Sequence, residues 1–437
     1  MDLKRILLLG TGPATIQLAV LFKNRLNCHV GIVGRESVRS ESFFTALQQN
    51  NRRIHVGIQN EKHRQLEGDC VIDRIFRGYD TITDEWDTVI LSVTTDAYLK
   101  VLQQMSIQLI KQVKCILLVS PTFGSNSLLR QYMSEISSEA EIISFSTYLG
   151  DTRWMNDKPS NHVITTGMKK KVYIGSTLET SDNVKRLCEL YEQLGINLEV
   201  MPSPIEAETR NISLYVHPPL FMNDFSLNAI FGNNAAKKYV YKMFPEGPIT
   251  QDLIRNMLAG WKEITNIVGR LNIQGVNLIK FMIDDNYPVR SESISRYDID
   301  HFVDLETIHQ EYLLYIRYTS LLIDPFSDPD TEGRYFDFSA VPIRSIFMNR
   351  EGQWDIPRMP KEDYYRIKII QGIAKYTGTS CPTIDSFLAV YERKLAEAAR
   401  SLKGELLSDA FIVQSFEEDL KRIYSDIEKR IGSRTPH

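Results

Sequence analysis

The 437-residue chain has little of what would assign it to a specialised class at once. Its five cysteines, Cys28, Cys70, Cys115, Cys188 and Cys381, lie far apart with no C-x-x-C pair, which excludes a disulfide framework and a clustered zinc site. Cationic excess is missing too. The 51 Lys and Arg are set against 55 Asp and Glu, a formal charge of −4, so there is no global basic surface to neutralise nucleic-acid phosphates. No apolar run approaches the roughly 18 residues that cross a bilayer. Lys4-Arg5 followed by Ile6-Leu7-Leu8-Leu9 imitates the start of a signal peptide, but Gly10-Thr11-Gly12-Pro13 ends the apolar stretch far short of a signal core. The expectation left by these absences is a globular protein of two or three domains in a reducing cytoplasm, with no nucleic-acid or membrane partner.

The first third alternates short apolar runs with amphipathic segments. The pattern predicts strands at Lys4–Leu9, His29–Val33, Arg53–Ile58, Thr88–Val93, Cys115–Ser120 and Glu141–Thr147, and helices at Pro13–Asn24, Asp96–Gln104 and Gly124–Ile136. Continuous apolar strands such as Val89–Val93 suit a parallel sheet covered on both faces, the βαβ rhythm of a doubly wound fold. His162–Thr166 and Lys171–Ser176 read as an antiparallel hairpin appended to that sheet, followed by a helix at Asp182–Leu194 and a strand at Asn197–Val200. Met201-Pro202-Ser203-Pro204 breaks any regular element. The expected domains are therefore 1–204, a Rossmann-like α/β unit, and 205–437, all-helical, with helices at Leu253–Asn266, Ile299–Leu322, Tyr364–Lys375 and Cys381–Ser401. Ser408–Ile431 reads as a solvated amphipathic helix.

The strongest local signal lies at the first strand-to-helix turn, Leu9-Gly10-Thr11-Gly12-Pro13-Ala14-Thr15. Gly10 permits the tight turn, and Gly12 permits a pyrophosphate to approach the backbone at the helix N-terminus. Thr15 stands where a dinucleotide fingerprint has its third glycine. An NAD site would place an acid at the end of the second strand, to hold the ribose 2′-hydroxyl. Here Ile32-Val33-Gly34 is followed by Arg35, with Arg39 one turn on. Guanidinium groups grip a 2′-phosphate, so NADPH is favoured over NADH. Thr94-Thr95-Asp96 and Ser120-Pro121-Thr122-Phe123-Gly124-Ser125 follow apolar strands and should line the same cleft, Thr94, Pro121 and Thr122 most directly. Asp96 and Ser125 would also serve as helix caps.

In the second domain, Ser213-Leu214-Tyr215-Val216-His217-Pro218-Pro219 sets a histidine against two prolines. Imidazole transfers protons near neutral pH, and a carboxylate on its other nitrogen would fix its tautomer, although a His before Pro also serves structure alone. Asp324 closes the apolar run Leu321-Leu322-Ile323 and, if buried, needs a cationic or N–H partner. His217 and Arg317 are both candidates, and spacing does not choose between them.

At these residues the chain resembles the opine metallophore dehydrogenases, of the staphylopine dehydrogenase type. The resemblance is carried by Gly10–Pro13, Val33-Gly34-Arg35, Ile58–Glu61, Ser120–Ser125, Ser144–Arg153, Glu206–Leu227, Phe244–Thr250, Asn286–Arg290, Ile323–Phe326 and Tyr335–Pro342. It implies an NADPH-dependent enzyme acting on CH–NH groups, which condenses a nicotianamine-like amine, built from histidine and an aminobutyrate unit, with a 2-keto acid and reduces the imine. It implies a His217 and Asp324 pair as general acid/base and orienter, Arg35 as the NADPH selector, and Asp151 as an acidic group favouring pyruvate over 2-oxoglutarate by repelling a second carboxylate. Arg153, Arg210, Arg290 and Arg317 are unranked candidates for holding substrate carboxylates. No metal site is expected, since the histidines lack short ligand spacing. A homodimer is expected from the same resemblance. The same reaction with 2-oxoglutarate, an opine dehydrogenase using a simple amino acid, and a non-catalytic NADPH-binding regulator remain as competing expectations.

Overall fold

The computed structural model describes residues 3–232, 236–324 and 326–432. The chain forms two compact units: residues 1–211 with 421–437, and residues 212–420. The expected boundary at 204/205 falls instead at the first turn of a helix, because Pro204 occupies a helix N-terminal position, where its fixed φ and missing N–H are tolerated.

The first unit contains strands β1 (Arg5–Leu9), β2 (His29–Gly34), β3 (Arg53–Ile58), β4 (Gly68–Val71), β5 (Arg74–Arg77), β6 (Thr88–Leu91), β7 (Cys115–Leu118), β8 (Glu141–Phe145), β9 (Gly150–Trp154), β10 (His162–Met168), β11 (Lys171–Ser176) and β12 (Asn197–Met201). Its helices are α1 (Pro13–Leu26), α2 (Val38–Gln49), α3 (Tyr98–Gln103), α4 (Ile107–Gln112), α5 (Ser125–Glu135), α6 (Asp182–Gln193) and α7 (Pro204–Thr209). Eight strands make one sheet in the order β12-β11-β8-β7-β6-β1-β2-β5, parallel throughout except where β11 runs against β8. The apolar runs of β1, β6 and β7 are buried on both faces, as a covered parallel sheet requires.

Two expectations are corrected here. β3 belongs to a second, four-stranded sheet ordered β4-β3-β10-β9, and β10 pairs with β3 and β9 rather than forming a hairpin with β11. The cause is α1, which is buried continuously from Thr15 to Phe22 and packs against strands of both sheets, so the unit needs a second layer to cover it. Buried Gln17 is satisfied within that layer, donating to Leu66 O at 3.0 Å and accepting from Thr165 Oγ1 at 2.5 Å.

The second unit holds α8 (Ser213–Phe221), α9 (Asp224–Phe231), α10 (Gln251–Arg270), α11 (Leu278–Asp284), α12 (Arg296–Asp300), α13 (Thr307–Thr319), α14 (Arg358–Tyr376) and α15 (Pro382–Ser401). Among the described residues its regular elements are helices apart from a short antiparallel pair, Phe347–Met348 with Trp354–Asp355, and isolated bridges such as Tyr239 with Pro342. The single helix expected over Ile299–Leu322 is interrupted by a 3-10 turn at Phe302–Asp304 and extended backbone at Leu305 and Glu306. Phe302 turns into the core against Trp261, and its carbonyl accepts from Gln310 Nε2 at 2.7 Å. At the C-terminus, α16 (Glu417–Gly432) starts later than expected, after Phe416 in the left-handed region at φ 54°. It is not a solvated helix, since Ile423 and Ile427 are buried.

Candidate active-site residues

The elements expected to hold a cofactor lie in the first unit, where β7, β6, β1 and β2 are neighbours in the sheet and their C-terminal ends bring the expected residues to one edge. Gly10 has φ 131°, and a Cβ there would come within 3.0 Å of Ser92 O, so only glycine makes this turn. Its N–H donates to Val33 O at 2.8 Å. Gly12 caps α1 without a side-chain bond, and a Cβ built on it would meet nothing within 4 Å. Open space therefore lies against the positive end of a helix whose first turn, at Pro13 and Ala14, carries no acid, a cradle that fits a pyrophosphate. Thr15 is accommodated by bonding Ser92 Oγ at 2.8 Å. Thr11 packs its methyl where a Cβ on Gly34 would clash, at 2.3 Å, so Gly34 is required for the approach of these two turns.

Arg35 is exposed just beyond β2, its loop pinned by Ser40 Oγ donating to Arg35 O at 2.6 Å. Arg39 follows on the first turn of α2. Beyond β6, Thr94 is exposed. Beyond β7, Pro121 and Thr122 are buried, and Thr122 Oγ1 has no hydrogen-bond partner. Ser125 does not cap α5. Its hydroxyl accepts from Thr122 N at 3.0 Å, and the helix end is capped by Glu208, which accepts from Gly124 N at 2.9 Å, Asn126 N at 2.7 Å and Ser144 Oγ at 2.9 Å. Burial drives the Glu208 carboxyl up to about 8, against the pull of these donors and of Arg430.

The residues expected to handle protons lie in the second unit. Pro218 and Pro219 sit inside α8, removing the N–H groups that would bond the carbonyls of Leu214 and Tyr215, and His217 immediately precedes them. His217 Nδ1 lies 3.3 Å from Asp363 Oδ1 on α14, which packs against α8. Asp363 is fully buried and also pairs with Arg366. A proton on Nδ1 donated to this carboxylate leaves Nε2 free to give or take one. Next along α14, Glu362 is buried. Burial alone would raise its carboxyl, but Arg358, Arg366 and His217 outweigh burial and hold it below its ordinary value.

Asp363, not Asp324, is thus the carboxylate on His217. Asp324 closes its own turn, its Oδ1 accepting from Phe326 N at 3.0 Å while its N–H donates to Phe336 O at 2.8 Å. Two functional groups, Asp363 and Glu208, were missed in the sequence. The first hides in a charged helical stretch and the second in Glu206-Ala207-Glu208, and neither carries a spacing signal.

Of the four arginines expected near substrate, Arg153 and Arg210 belong to the first unit and Arg290 and Arg317 to the second. Arg153 is exposed and pairs with Asp151 at 3.0 Å, and Asp151 also accepts from Thr166 Oγ1 at 2.7 Å on the open face of β9. Arg210 ends α7. Arg290 is exposed, with its guanidinium over the Phe326 ring at 4.8 Å. Arg317, on the last turn of α13, is buried. Among the described residues, no group of three or more His, Cys, Asp or Glu could hold a metal ion, and no helix is long and apolar enough to cross a membrane.

The family described as Staphylopine dehydrogenase matches residues 4–427. Staphylopine synthase of Staphylococcus aureus strain Mu50 is 48% identical over 419 residues, covering 95% of this chain and 96% of that one. Pseudopaline synthase of Pseudomonas aeruginosa strain UCBPP-PA14 is 32% identical over 396 residues, covering 90% of each. Among solved structures, NADP+-bound yersinopine dehydrogenase superposes with a TM-score of 0.90 at 26% identity, covering 98% of this chain and 99% of that one.

Proposed function

The chain belongs to the staphylopine dehydrogenase family, an opine dehydrogenase and so an NAD(P)H-dependent oxidoreductase, and from that premise we propose that it catalyses the reductive condensation of a nicotianamine-like amine with pyruvate. The amine is built from histidine and an aminobutyrate unit, and the product is a staphylopine-type metallophore. The near full-length likeness to the Staphylococcus aureus enzyme supports this choice of product.

The observation that carries the chemistry is the His217 and Asp363 pair. The primary amine adds to the keto carbon to give a carbinolamine, which must lose its hydroxyl as water before reduction. His217 Nε2, with Nδ1 held by Asp363, gives the proton that lets water depart and manages the proton on the nitrogen. NADPH, when bound, supplies the hydride. Gly10, Thr11, Gly12, Pro13 and Ala14 would hold its pyrophosphate on α1, Thr94, Pro121 and Thr122 would wall the nicotinamide side, and Arg35 with Arg39 would grip the 2′-phosphate. The NADP+ named in the yersinopine dehydrogenase structure supports the same preference. Asp151, an acidic group on β9, is assigned to the selection of pyruvate over an acid with a second carboxylate. A cytoplasmic homodimer belongs to the same reading, with light scattering on the purified protein as its check.

The test is NADPH consumption by the purified protein given the amine with pyruvate or with 2-oxoglutarate. Turnover with pyruvate that His217→Asn abolishes is the expected result. Preference for 2-oxoglutarate refutes the Asp151 assignment, and NADPH binding without turnover on either acid refutes the proposed reaction in favour of a different amine or a regulator.

A further inference from the structure

Among the described residues, the buried charges of the second unit have partners, with Arg317 as the exception. Asp363 meets Arg366 and His217, Glu362 meets Arg358, and Glu263 accepts from Thr383 N and Ile384 N. Arg317 is 4% exposed, yet among the described residues no carboxylate pairs with it and its Nε has no hydrogen-bond partner. What surrounds it are phenols: Tyr318, Tyr287 and Tyr241 all lie within electrostatic reach. Burial pulls the guanidinium down to about 10, so it is a cation at neutral pH. Leaving such a group without a counter-ion is costly, and a fold that keeps one has a use for the vacancy in its ion pairing.

The place of that use follows from the neighbours. The Tyr241 phenol feels both Arg317 and Asp363, the carboxylate that holds His217. α13, which carries Arg317, packs on α10, and α10 packs on α8, which carries His217. Tyr318 points its hydroxyl at Met257 S, 3.5 Å away, so it does not compete for an acceptor beside the guanidinium. Tyr287, half exposed, forms the outer rim of the cluster. The other three arginines lack this combination: Arg153 already holds Asp151, Arg290 lies exposed over Phe326, and Arg210 is in the first unit.

We propose that Arg317, flanked by Tyr241 and Tyr287, is the anchor for a substrate carboxylate presented to the His217 and Asp363 pair. The inference rests on the reaction proposed above, in which both the keto acid and the amine carry carboxylates. A planar guanidinium with free N–H donors takes a carboxylate in a fork, and the bound anion supplies the counter-charge that the fold withholds.

The experiment compares the full-length protein with Arg317→Met and Arg317→Lys. A structural arginine would lower the melting temperature when removed. Here Arg317→Met should keep or raise it and leave the NADPH Kd unchanged, while raising the KM of one substrate roughly 10- to 100-fold, the range of a hydrogen bond to a charged group. Arg317→Lys, which keeps the charge but not the fork, should fall between. A rise in the pyruvate KM alone assigns the keto-acid carboxylate, and a rise in the amine KM alone assigns the amine. A second arm does not depend on turnover: pyruvate and 2-oxoglutarate are each tested for raising the melting temperature of the NADP+-loaded protein. Stabilisation by either acid in the wild type that Arg317→Met loses supports the anchor even where the proposed amine proves wrong. Unchanged KM values for both substrates, or stabilisation that survives the substitution, overturns it.

Discussion

A histidine does proton chemistry only when something decides which of its nitrogens carries the proton, and the group placed to do so for His217 is Asp363, 3.3 Å from Nδ1. Asp363→Asn preserves shape and packing while weakening the acceptor for Nδ1–H, so kcat should fall about 10²- to 10⁴-fold, the usual worth of a positioned acid or base, with the NADPH Kd unchanged. Asp324→Asn keeps an oxygen for Phe326 N and should leave kcat within a small factor of wild type. Equal losses in the two variants would return Asp324 to the catalytic pair. For the cofactor, Arg35→Glu should raise the KM for NADPH about tenfold or more and spare that for NADH, as expected for removing one phosphate-holding guanidinium, and the ratio of the two KM values reads this directly. His217 was singled out through the resemblance carried by Glu206–Leu227, since a histidine before proline by itself also serves structure alone. Asp363 was not, since it stands 146 residues away within Lys361-Glu362-Asp363-Tyr364, where neighbouring charges read as a solvated face.

Among the elements, α5 shows how a helix end next to the cofactor edge is secured. Its N-terminal N–H groups are met by the carboxyl oxygens of Glu208 on α7, so that end is already satisfied, whereas the N-terminus of α1 has no side-chain cap. The folded Glu208 holds its proton up to about 8, whereas the unfolded chain releases it near the ordinary 4.5. The folded state therefore binds the extra proton between these values, and the group's contribution to stability is full below about 4.5 and lost as pH rises through about 8. Glu208→Gln cannot titrate and presents an amide donor to a backbone donor. It should cost about 1–3 kcal/mol and flatten the decline of the unfolding free energy between these pH values, as measured by denaturant melts of both proteins across the range. An equally steep decline in the variant would assign the pH dependence to other groups. The central strands of the main sheet were readable because a doubly covered sheet demands uninterrupted apolar runs, but its edge strand β5, half exposed along Arg74–Arg77, was not. The place of β3 was not, because its pattern is that of any half-buried strand and only the burial of α1 on all sides requires a second sheet.

At the level of the whole molecule, residues 212–420 form one compact unit while the chain on either side of them belongs to the other. From Lys421 onward, α16 lies along α5: Arg422 pairs with Glu135 at 3.1 Å, Lys429 donates to Gln131 at 2.8 Å, and Arg430 donates to Asn126 Oδ1 at 2.7 Å. Ile423 and Ile427 are each 1% exposed. The sequence could not reveal this return, because a helix of alternating charge and apolar residues reads the same whether it faces water, a second copy or a distant part of its own chain. A fragment ending at the break visible in the sequence, residues 1–204, therefore lacks both the carboxylate that caps α5 and the helix that covers it. Losing two buried isoleucines at about 2–5 kcal/mol each, together with a buried cap, is comparable with the whole stability of a domain, about 5–15 kcal/mol. That fragment should show no cooperative melt and no NADP+ binding. Residues 1–211 joined through a flexible Gly/Ser linker to 421–437 restore both missing parts and should melt cooperatively at a temperature that NADP+ raises. A fragment 1–204 that melts as sharply as the joined protein would show that the returning helix is dispensable, and that the cofactor-binding unit is complete where the sequence pattern alone had ended it.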